Sequence, residues 1–302
     1  MTLDIQALHP VVAAEIRGLD LSRPLDDAIQ AEVRSALDRH QVLVFHGQPL
    51  DQDRMLAFAS RFGQPEVFVD ASTAQGKVPT VLRLTNLDPQ TNQPIGPGPD
   101  MARMSLAENW HSDSSYRAVP AYTTLLHGVE IPGQGGDTQF TSMHAAYDAL
   151  PDALKQKIEP LSAIHSWTYQ RTLSPGRKPM TDQERLTAPD VPHRLVQRHP
   201  DTGRKLLYIS SSAHYIEGMP FEEGRALLQE LKTIATRPEA IYTHKWQPGD
   251  LVMWDNRATL HRAGGFDYQS TTLRRLLHRI VIGGDSAAYQ RAGQQVAAAP
   301  AM

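Results

Sequence analysis

Asn109-Trp110-His111-Ser112-Asp113-Ser114-Ser115-Tyr116 is the stretch from which the rest of this chain is read. Along an extended backbone, residues two apart point to the same side, so His111 and Asp113 can both reach one cation. An imidazole and a carboxylate completed by one distant His would bind a metal on one face and leave the opposite three positions open, as in non-haem Fe(II) sites. By itself a His-x-Asp pair in a chain with 13 His is a weak signal, because such pairs arise by chance. A strand-end His beside a turn Asp explains it equally well, and the remainder of the sequence has to decide.

Composition narrows the chemistry. The chain has no Cys, which removes disulfides, cysteine-ligated iron–sulfur clusters and zinc–thiolate sites. Any metal must be held by His and carboxylate, a set that favours iron, manganese or zinc. A formal net charge of −3 offers no basic footprint for nucleic acid and no polybasic membrane patch. No apolar run approaches a membrane span, and Met1-Thr2-Leu3-Asp4 does not open a signal peptide. A cytoplasmic protein is expected, organised as one domain over residues 1–302.

Outward from the motif, the N-terminal side reads as short strands over 3–22, a helix from Asp26 with Ile29, Val33 and Leu37 four apart, and a buried strand Val42-Leu43-Val44-Phe45. A second helix follows from about Asp51, with Met55, Phe58, Ala59 and Phe62 on one face as core. No Gly-x-Gly-x-x-Gly follows a strand, so dinucleotide binding has no support. A strand over 78–86 then runs into the breaker-rich 88–100, which leads directly to His111; residues 88–110 are a candidate mobile lid.

C-terminal to the motif, strands are expected at 121–131 and 136–141 and helices from about Ser142 and after Pro151. Residues 174–192 look like a loop. Strands resume at 193–199 and 205–211, separated by the turn 200–203, and a long amphipathic helix starts at Pro220 with Leu227, Leu228, Leu231 and Ile234. The last block is β-rich, at 240–246, 251–254, 259–263 and 273–282, and residues 286–302 form a tail without periodicity. Many short strands with a few covering helices predict a mostly β fold with flanking helices, a sandwich or jelly-roll barrel.

In Gln247-Pro248-Gly249-Asp250 through His261, a tight turn, a buried strand and a polar reversal at Asp255-Asn256-Arg257 place His261 on the next strand, at the mouth of a barrel. It is the candidate third metal ligand, against the ordinary reading of a core or surface His. In Arg274-Arg275-Leu276-Leu277-His278-Arg279, period-two spacing puts Arg275, Leu277 and Arg279 on one face. Two Arg on an inner strand face are costly unless anions pair with them. A guanidinium fork suits a carboxylate, which fits a dicarboxylic co-substrate and an anionic substrate. Acidic partners on neighbouring strands are the alternative.

The order of Trp110-His111-x-Asp113, Gly135-Gly136-Asp137-Thr138, Trp254-Asp255-Asn256-Arg257 with His261, and Arg275-x-x-x-Arg279 resembles the taurine dioxygenase and 2,4-dichlorophenoxyacetate dioxygenase family. The likeness spans about residue 5 to 285 and includes Leu43-Val44-Phe45-His46-Gly47-Gln48 and Ala57–Gly63. It implies a double-stranded β-helix (jelly-roll) core and an Fe(II)- and 2-oxoglutarate-dependent dioxygenase in which His111, Asp113 and His261 bind iron. Thr138 and Arg275 would hold the distal carboxylate of 2-oxoglutarate, and Arg279 would face the substrate anion. O2 is the other co-substrate. The interval from His261 to Arg275 is slightly long for the family, with the Gly264–Thr272 loop available to absorb it. Homo-oligomers are common there, so one is expected here.

His111-Ser-Asp-Ser-Ser-Tyr116 and Glu217-Gly218-Met219-Pro220 look closer to the aryloxyalkanoate-cleaving branch, in which hydroxylation is followed by ether cleavage, than to enzymes acting on taurine, alkylsulfonates or alkyl sulfates. Lys77, Arg83 and Asn86 precede the candidate lid and are further candidates for the substrate's carboxylate or sulfonate. His127 and His214 are weaker pocket candidates, and Trp254 reads as core. From other classes, a Zn-dependent hydrolase on the same three ligands and a barrel that only binds an anion remain as rivals.

Overall fold

The computed structural model describes residues 2–66, 80–95, 107–174, 179–267 and 270–293. The chain opens with strands β1 (Asp4–Ala7) and β2 (Ala14–Arg17), helix α1 (Asp27–His40), strand β3 (Val42–Phe45) and helix α2 (Gln52–Ser60). Asp26 caps α1 by accepting from the Ile29 N–H at 2.7 Å. The helix stops at Gln41, whose left-handed backbone (φ 64°) returns its N–H to Leu37 O. Strands β4 (Leu82–Thr85) and β5 (Thr123–Glu130) follow.

With β13 (Leu251–Asp255) and β15 (Leu276–Ile282), these strands make a seven-stranded sheet in the order β1-β2-β3-β13-β5-β15-β4. All pairings are antiparallel except β2 with β3. Its two faces are used differently. Leu43, Phe45, Met253, Ile280 and Ile282 pack under Val33, Leu37, Met55 and Phe58 of α1 and α2. Val42, Val44, Val252, Trp254, Leu126 and Leu277 pack with Phe140 on the opposite face, between this sheet and a second one. Burial on both faces is why Val42–Phe45 is an unbroken apolar run rather than an alternating one.

The second sheet has three strands, β12 (Ile241–His244), β6 (Thr138–Ser142) and β14 (Thr259–Ala263), in the order β12-β6-β14. Its outer side carries helices α3 (Met143–Asp148) and α4 (Asp152–Ile158), then β7 (Ser162–His165), α5 (Trp167–Thr172), α6 (Asp182–Thr187), β8 (Val191–Arg194), β9 (Val196–Arg198), β10 (Lys205–Leu207), β11 (Ala213–Ile216) and α7 (Phe221–Ala235). Leu227, Leu228 and Leu231 of α7 join Met143, Ile158 and Leu260 in a core of their own. Each buried Leu, Ile or Phe contributes about 1.5–3 kcal/mol relative to exposure. Two facing sheets with helices outside form the expected jelly-roll architecture, and no helix among the described residues is long and apolar enough to cross a membrane.

Two stretches differ from expectation. Residues 174–192, expected to be a loop, contain α6, which has no buried residue and so shows no apolar stripe; its signal is the capping box of Thr181 and Glu184. The expected C-terminal tail begins with α8 (Ser286–Arg291), held by buried Ala288 and Tyr289. Within the candidate lid, residues 88–95 form a turn in which Asp88 Oδ1 accepts from the Gln90 and Thr91 N–H groups. Residues 96–106, and 294–302 of the tail, lie outside the described residues.

Candidate metal centre

The two sheets supply different halves of the site. His111 adds itself to the outer edge of β14: its N–H donates to His261 O at 2.9 Å, and the His261 N–H donates to His111 O at 2.8 Å. Opposed residues that exchange both backbone hydrogen bonds carry their side chains on the same face. The imidazoles therefore meet, with ring centroids 4.2 Å apart. Asp113, two residues on, comes to the same side. Its Oδ1 lies 3.7 Å from His111 Nε2 and its Oδ2 3.7 Å from His261 Nε2.

Second contacts fix His111 and Asp113, whereas His261 Nδ1 is buried without a hydrogen-bond partner. His111 Nδ1 donates to the Asn109 carbonyl at 2.7 Å, which leaves a bare Nε2 turned toward Asp113. From the seven-stranded sheet, the Thr124 hydroxyl donates to Asp113 Oδ2 at 2.6 Å. Asn256 closes a loop around the same carboxylate. Its Oδ1 accepts from the Asp113 N–H and from Trp254 Nε1, and its Nδ2 donates to Thr124 Oγ1. Arg279 Nη2 stands 2.5 Å from Asp113 Oδ1.

The electrostatics agree with a cation site. Burial would raise the Asp113 carboxyl, but the charge of the Arg279 guanidinium, helped by the Thr124 hydroxyl, holds it well below the usual carboxylate range. Burial lowers His111, with Asp113 partly compensating. Burial and then the neighbouring His111 push His261 far down. Both imidazoles are thereby kept neutral, as metal ligands must be. The donor atoms of all three lie within 4.8 Å of one another. Their Nε2–carboxylate separations are too long for hydrogen bonds. Donors gathered this closely without hydrogen bonds between them are the kind of set that one cation would hold together. Two nitrogens and one carboxylate oxygen with open positions opposite are the donor set of Fe(II) oxygenases, so the residues present fit iron.

Beside this triad lies the candidate carboxylate subsite. Register places Ala263 opposite Thr138 and His261 opposite Phe140, so Thr138 shares the His261 face one diagonal step away, roughly 7–8 Å. Thr138 is buried and its hydroxyl accepts from Trp246 Nε1 at 3.0 Å. Arg275, also buried, lays its side chain over the turn that precedes Thr138. A Cβ on Gly136, whose φ is +74°, would stand 3.3 Å from Arg275 Nε. Only glycine suits that backbone, and only glycine leaves the guanidinium its place. Arg274, on the other face, pairs with Glu130.

The remaining candidates are not gathered at the triad. Asn86 is committed to main chain: its Nδ2 donates to Leu273 O and its Oδ1 accepts from the Arg275 N–H, so it anchors the segment that carries Arg275. Arg83 is exposed and stands across from His278, which donates or accepts at Gln52 of α2. That is the helix-covered face of the sheet. Lys77 lies outside the described residues. His127 bonds Gln48 O, and His214 stacks on Tyr169. Trp254 is core and also lends its N–H to Asn256. Sequence reasoning passed over Thr124 and the role of Asn256; the available signal was a pair of hydroxyls, Thr123 and Thr124, interrupting a buried strand.

A second group of His and carboxylate, Asp38, His199 and Asp255, also has donor atoms within 4.8 Å. Here the chain satisfies itself. Arg257 forks onto Asp255 through Nε at 2.9 Å and Nη2 at 2.6 Å, and reaches Asp201 through Nη1 at 2.6 Å. His199 Nε2 donates to Asp255 Oδ2, while its Nδ1 accepts from the Asp201 and Thr202 N–H groups. No imidazole lone pair is left for a metal.

Comparison with known proteins agrees with this geometry. The family model described as "Taurine catabolism dioxygenase TauD, TfdA family" matches residues 4–281. An alpha-ketoglutarate-dependent 2,4-dichlorophenoxyacetate dioxygenase of Burkholderia sp. (strain RASC) is 37% identical over 92% of this chain and 94% of its own. An (S)-phenoxypropionate/alpha-ketoglutarate-dioxygenase of Sphingobium herbicidovorans is 36% identical over 94% and 96%. Among solved structures, AAD-2 in complex with Mn(II) and N-oxalylglycine superposes with a TM-score of 0.85, at 39% identity over 95% of this chain and 98% of that one. The chain belongs to the TauD, TfdA family of dioxygenases.

Proposed function

We propose that this protein hydroxylates an aryloxyalkanoate carboxylate on the carbon that bears the ether oxygen, and that the ether bond then breaks. The protein is a 2-oxoglutarate-dependent dioxygenase that uses Fe(II), 2-oxoglutarate and O2. Mn(II) and N-oxalylglycine in the similar solved structure stand in for Fe(II) and 2-oxoglutarate. The observation that carries the site assignment is the convergence of two imidazole nitrogens and one carboxylate, with half-buried Arg279 on that carboxylate and buried Arg275 against the turn before Thr138.

His111, Asp113 and His261 would hold the iron, which would supply the oxidation of a C–H bond coupled to the conversion of 2-oxoglutarate and O2 into succinate and carbon dioxide. The chain's own work is positional. Thr138 and Arg275 bind the far carboxylate of 2-oxoglutarate and so aim its keto acid end at the metal. Arg279 receives the carboxylate of the substrate and sets which carbon faces the oxidant. Asn109 keeps His111, and Thr124 and Asn256 keep Asp113, from turning away. Hydroxylation of a carbon that carries an aryloxy group gives a hemiacetal, which expels the phenol and leaves an oxo acid; no protein nucleophile is needed.

This reading is favoured over taurine, alkylsulfonate or alkyl sulfate oxidation by the 36–37% identity to two aryloxyalkanoate dioxygenases. The Zn-dependent hydrolase is disfavoured by the family itself, whose similar members are alpha-ketoglutarate-dependent dioxygenases. The test is oxygen uptake and succinate release by Fe(II)-loaded protein with 2-oxoglutarate, against phenoxyacetate, 2-phenoxypropionate, taurine and alkyl sulfates. Stimulation by the aryloxy acids is expected. Stimulation by taurine or a sulfate alone would reassign the substrate, and metal-bound protein that forms no succinate would overturn the reaction class. A cytoplasmic homo-oligomer belongs to the same proposal, and sedimentation velocity of the purified protein tests the assembly.

A further inference from the structure

Arg279 touches a residue that has another use. Its Nη2 lies 2.5 Å from Oδ1 of Asp113, one of the three metal-ligand candidates. Strand register delivers it there: Arg279 faces Leu126 of β5 on one side and Leu82 of β4 on the other, in the middle strand of the three. The second carboxylate oxygen is taken by the Thr124 hydroxyl. A guanidinium in this place acts on an arriving cation in two ways. It draws charge from the carboxylate and weakens it as a donor, and it sets a positive charge a few ångströms from a divalent ion. Both oppose metal binding, and an anion that pairs with the guanidinium relieves both.

We propose that Arg279 makes metal binding and substrate binding mutually reinforcing, because its guanidinium is shared between Asp113 and the carboxylate of the substrate. This rests on the reading of Arg279 as the residue that receives the substrate anion. Substrate that claims the guanidinium turns Asp113 into a stronger ligand. By linkage, a bound metal that draws on Asp113 frees Arg279 for the substrate by the same factor. Protein without substrate consequently holds its metal more loosely than protein at work.

The test uses Mn(II) as probe, with free ion counted by electron paramagnetic resonance, and phenoxyacetate as the anion, without 2-oxoglutarate. In the wild-type protein, saturating phenoxyacetate should tighten Mn(II) binding by about 5- to 150-fold, the usual span of coupling between sites. Arg279→Gln should bind Mn(II) more tightly than wild type without any anion, and phenoxyacetate should then change nothing. Equal or weaker Mn(II) binding by Arg279→Gln overturns the proposal. So does coupling that persists undiminished in that variant, since the anion would then be reaching the metal itself. Calorimetric titration of the wild type with phenoxyacetate keeps the two readings apart. If phenoxyacetate does not bind, the substrate assignment falls while the metal affinity of Arg279→Gln still decides the role of Arg279. If Arg279→Gln does not fold, Arg279→Met takes its place in the same titrations, with the same result expected and the same results overturning the proposal.

Discussion

Two clusters in this molecule contain the same ingredients, His, Asp and an Arg, and they are built to opposite ends. Around Asp255 every proton has a lone pair: Arg257 forks onto the carboxylate, His199 donates to it, and the other His199 nitrogen accepts from two backbone amides. Around Asp113 the carboxylate is gripped by Thr124 and Arg279, yet two imidazole nitrogens point inward at 3.7 Å with nothing to bond. The first cluster joins α1, the β13–β14 turn and the 199–203 turn. The second leaves two imidazole nitrogens unpaired beside a carboxylate, and it is the one proposed to hold the metal. Proximity of ligand-type side chains does not separate them; the count of uncommitted imidazole lone pairs does.

The largest effects should separate the clusters cleanly. His261→Ala is expected to bring iron-dependent succinate formation to background while the fold survives, checked by turnover alongside circular dichroism. Asp255→Ala leaves Arg257 buried with its principal partner gone and should cost about 3–5 kcal/mol in chemical denaturation. If instead Asp255→Ala left stability intact and removed the metal, the two assignments would have to be exchanged.

A smaller effect tests how far the second contacts matter. Asn256→Ala removes the group that braces both the Asp113 amide and the Thr124 hydroxyl, and should weaken Mn(II) binding by about 10- to 100-fold. Next in size, Gly136→Ala meets a left-handed backbone and crowds Arg275. The Michaelis constant for 2-oxoglutarate should rise by about tenfold with the aryloxy acid's constant little changed, since one poorly seated charge-assisted bond costs of this order. Equal rises for both substrates would move Arg275 out of the co-substrate subsite.

The smallest effect falls on the weak member of the satisfied cluster. Asp38 Oδ1 has no hydrogen bond and sits 3.7 Å from Arg257. Burial first, and the charge of Asp255 second, raise its pKa. A carboxyl raised in the folded state destabilises the fold progressively as pH climbs from its unfolded value, about 3.9, through the raised one. Asp38→Asn should therefore raise the melting temperature at pH 7 by about 1–3 °C, and the gain should vanish below about pH 4. A loss of stability at pH 7 would show that Asp38 serves the network as an anion.

Much of this arrangement could be read from residue order. Val42–Phe45, doubly buried, and α1, with its four-residue spacing, announced themselves by periodicity. His111-x-Asp113 was a weak signal alone, and what singled it out was the family likeness of four ordered motifs, Arg275 and Arg279 on one strand face among them. What stayed hidden was contact across the sheets. Nothing local tells that Thr124 meets Asp113, that Asn86 holds the Arg275 amide, or that His199 finds Asp255, because each partner lies on a different strand or turn. Short polar helices were hidden for another reason: α6 buries nothing, so no hydrophobic pattern marks it. The tail helix α8 is anchored by little more than Tyr289 and Ala288, too few positions to make a period.

The backbone pair between His111 and His261 has a consequence for what substitution can do there. Fixing a residue's backbone costs about 1–2 kcal/mol, and here two main-chain hydrogen bonds help to offset it for both residues. Those bonds belong to the backbone and not to the imidazoles. Either ring can therefore be exchanged for another side chain while the frame that aligns the pair stays in place.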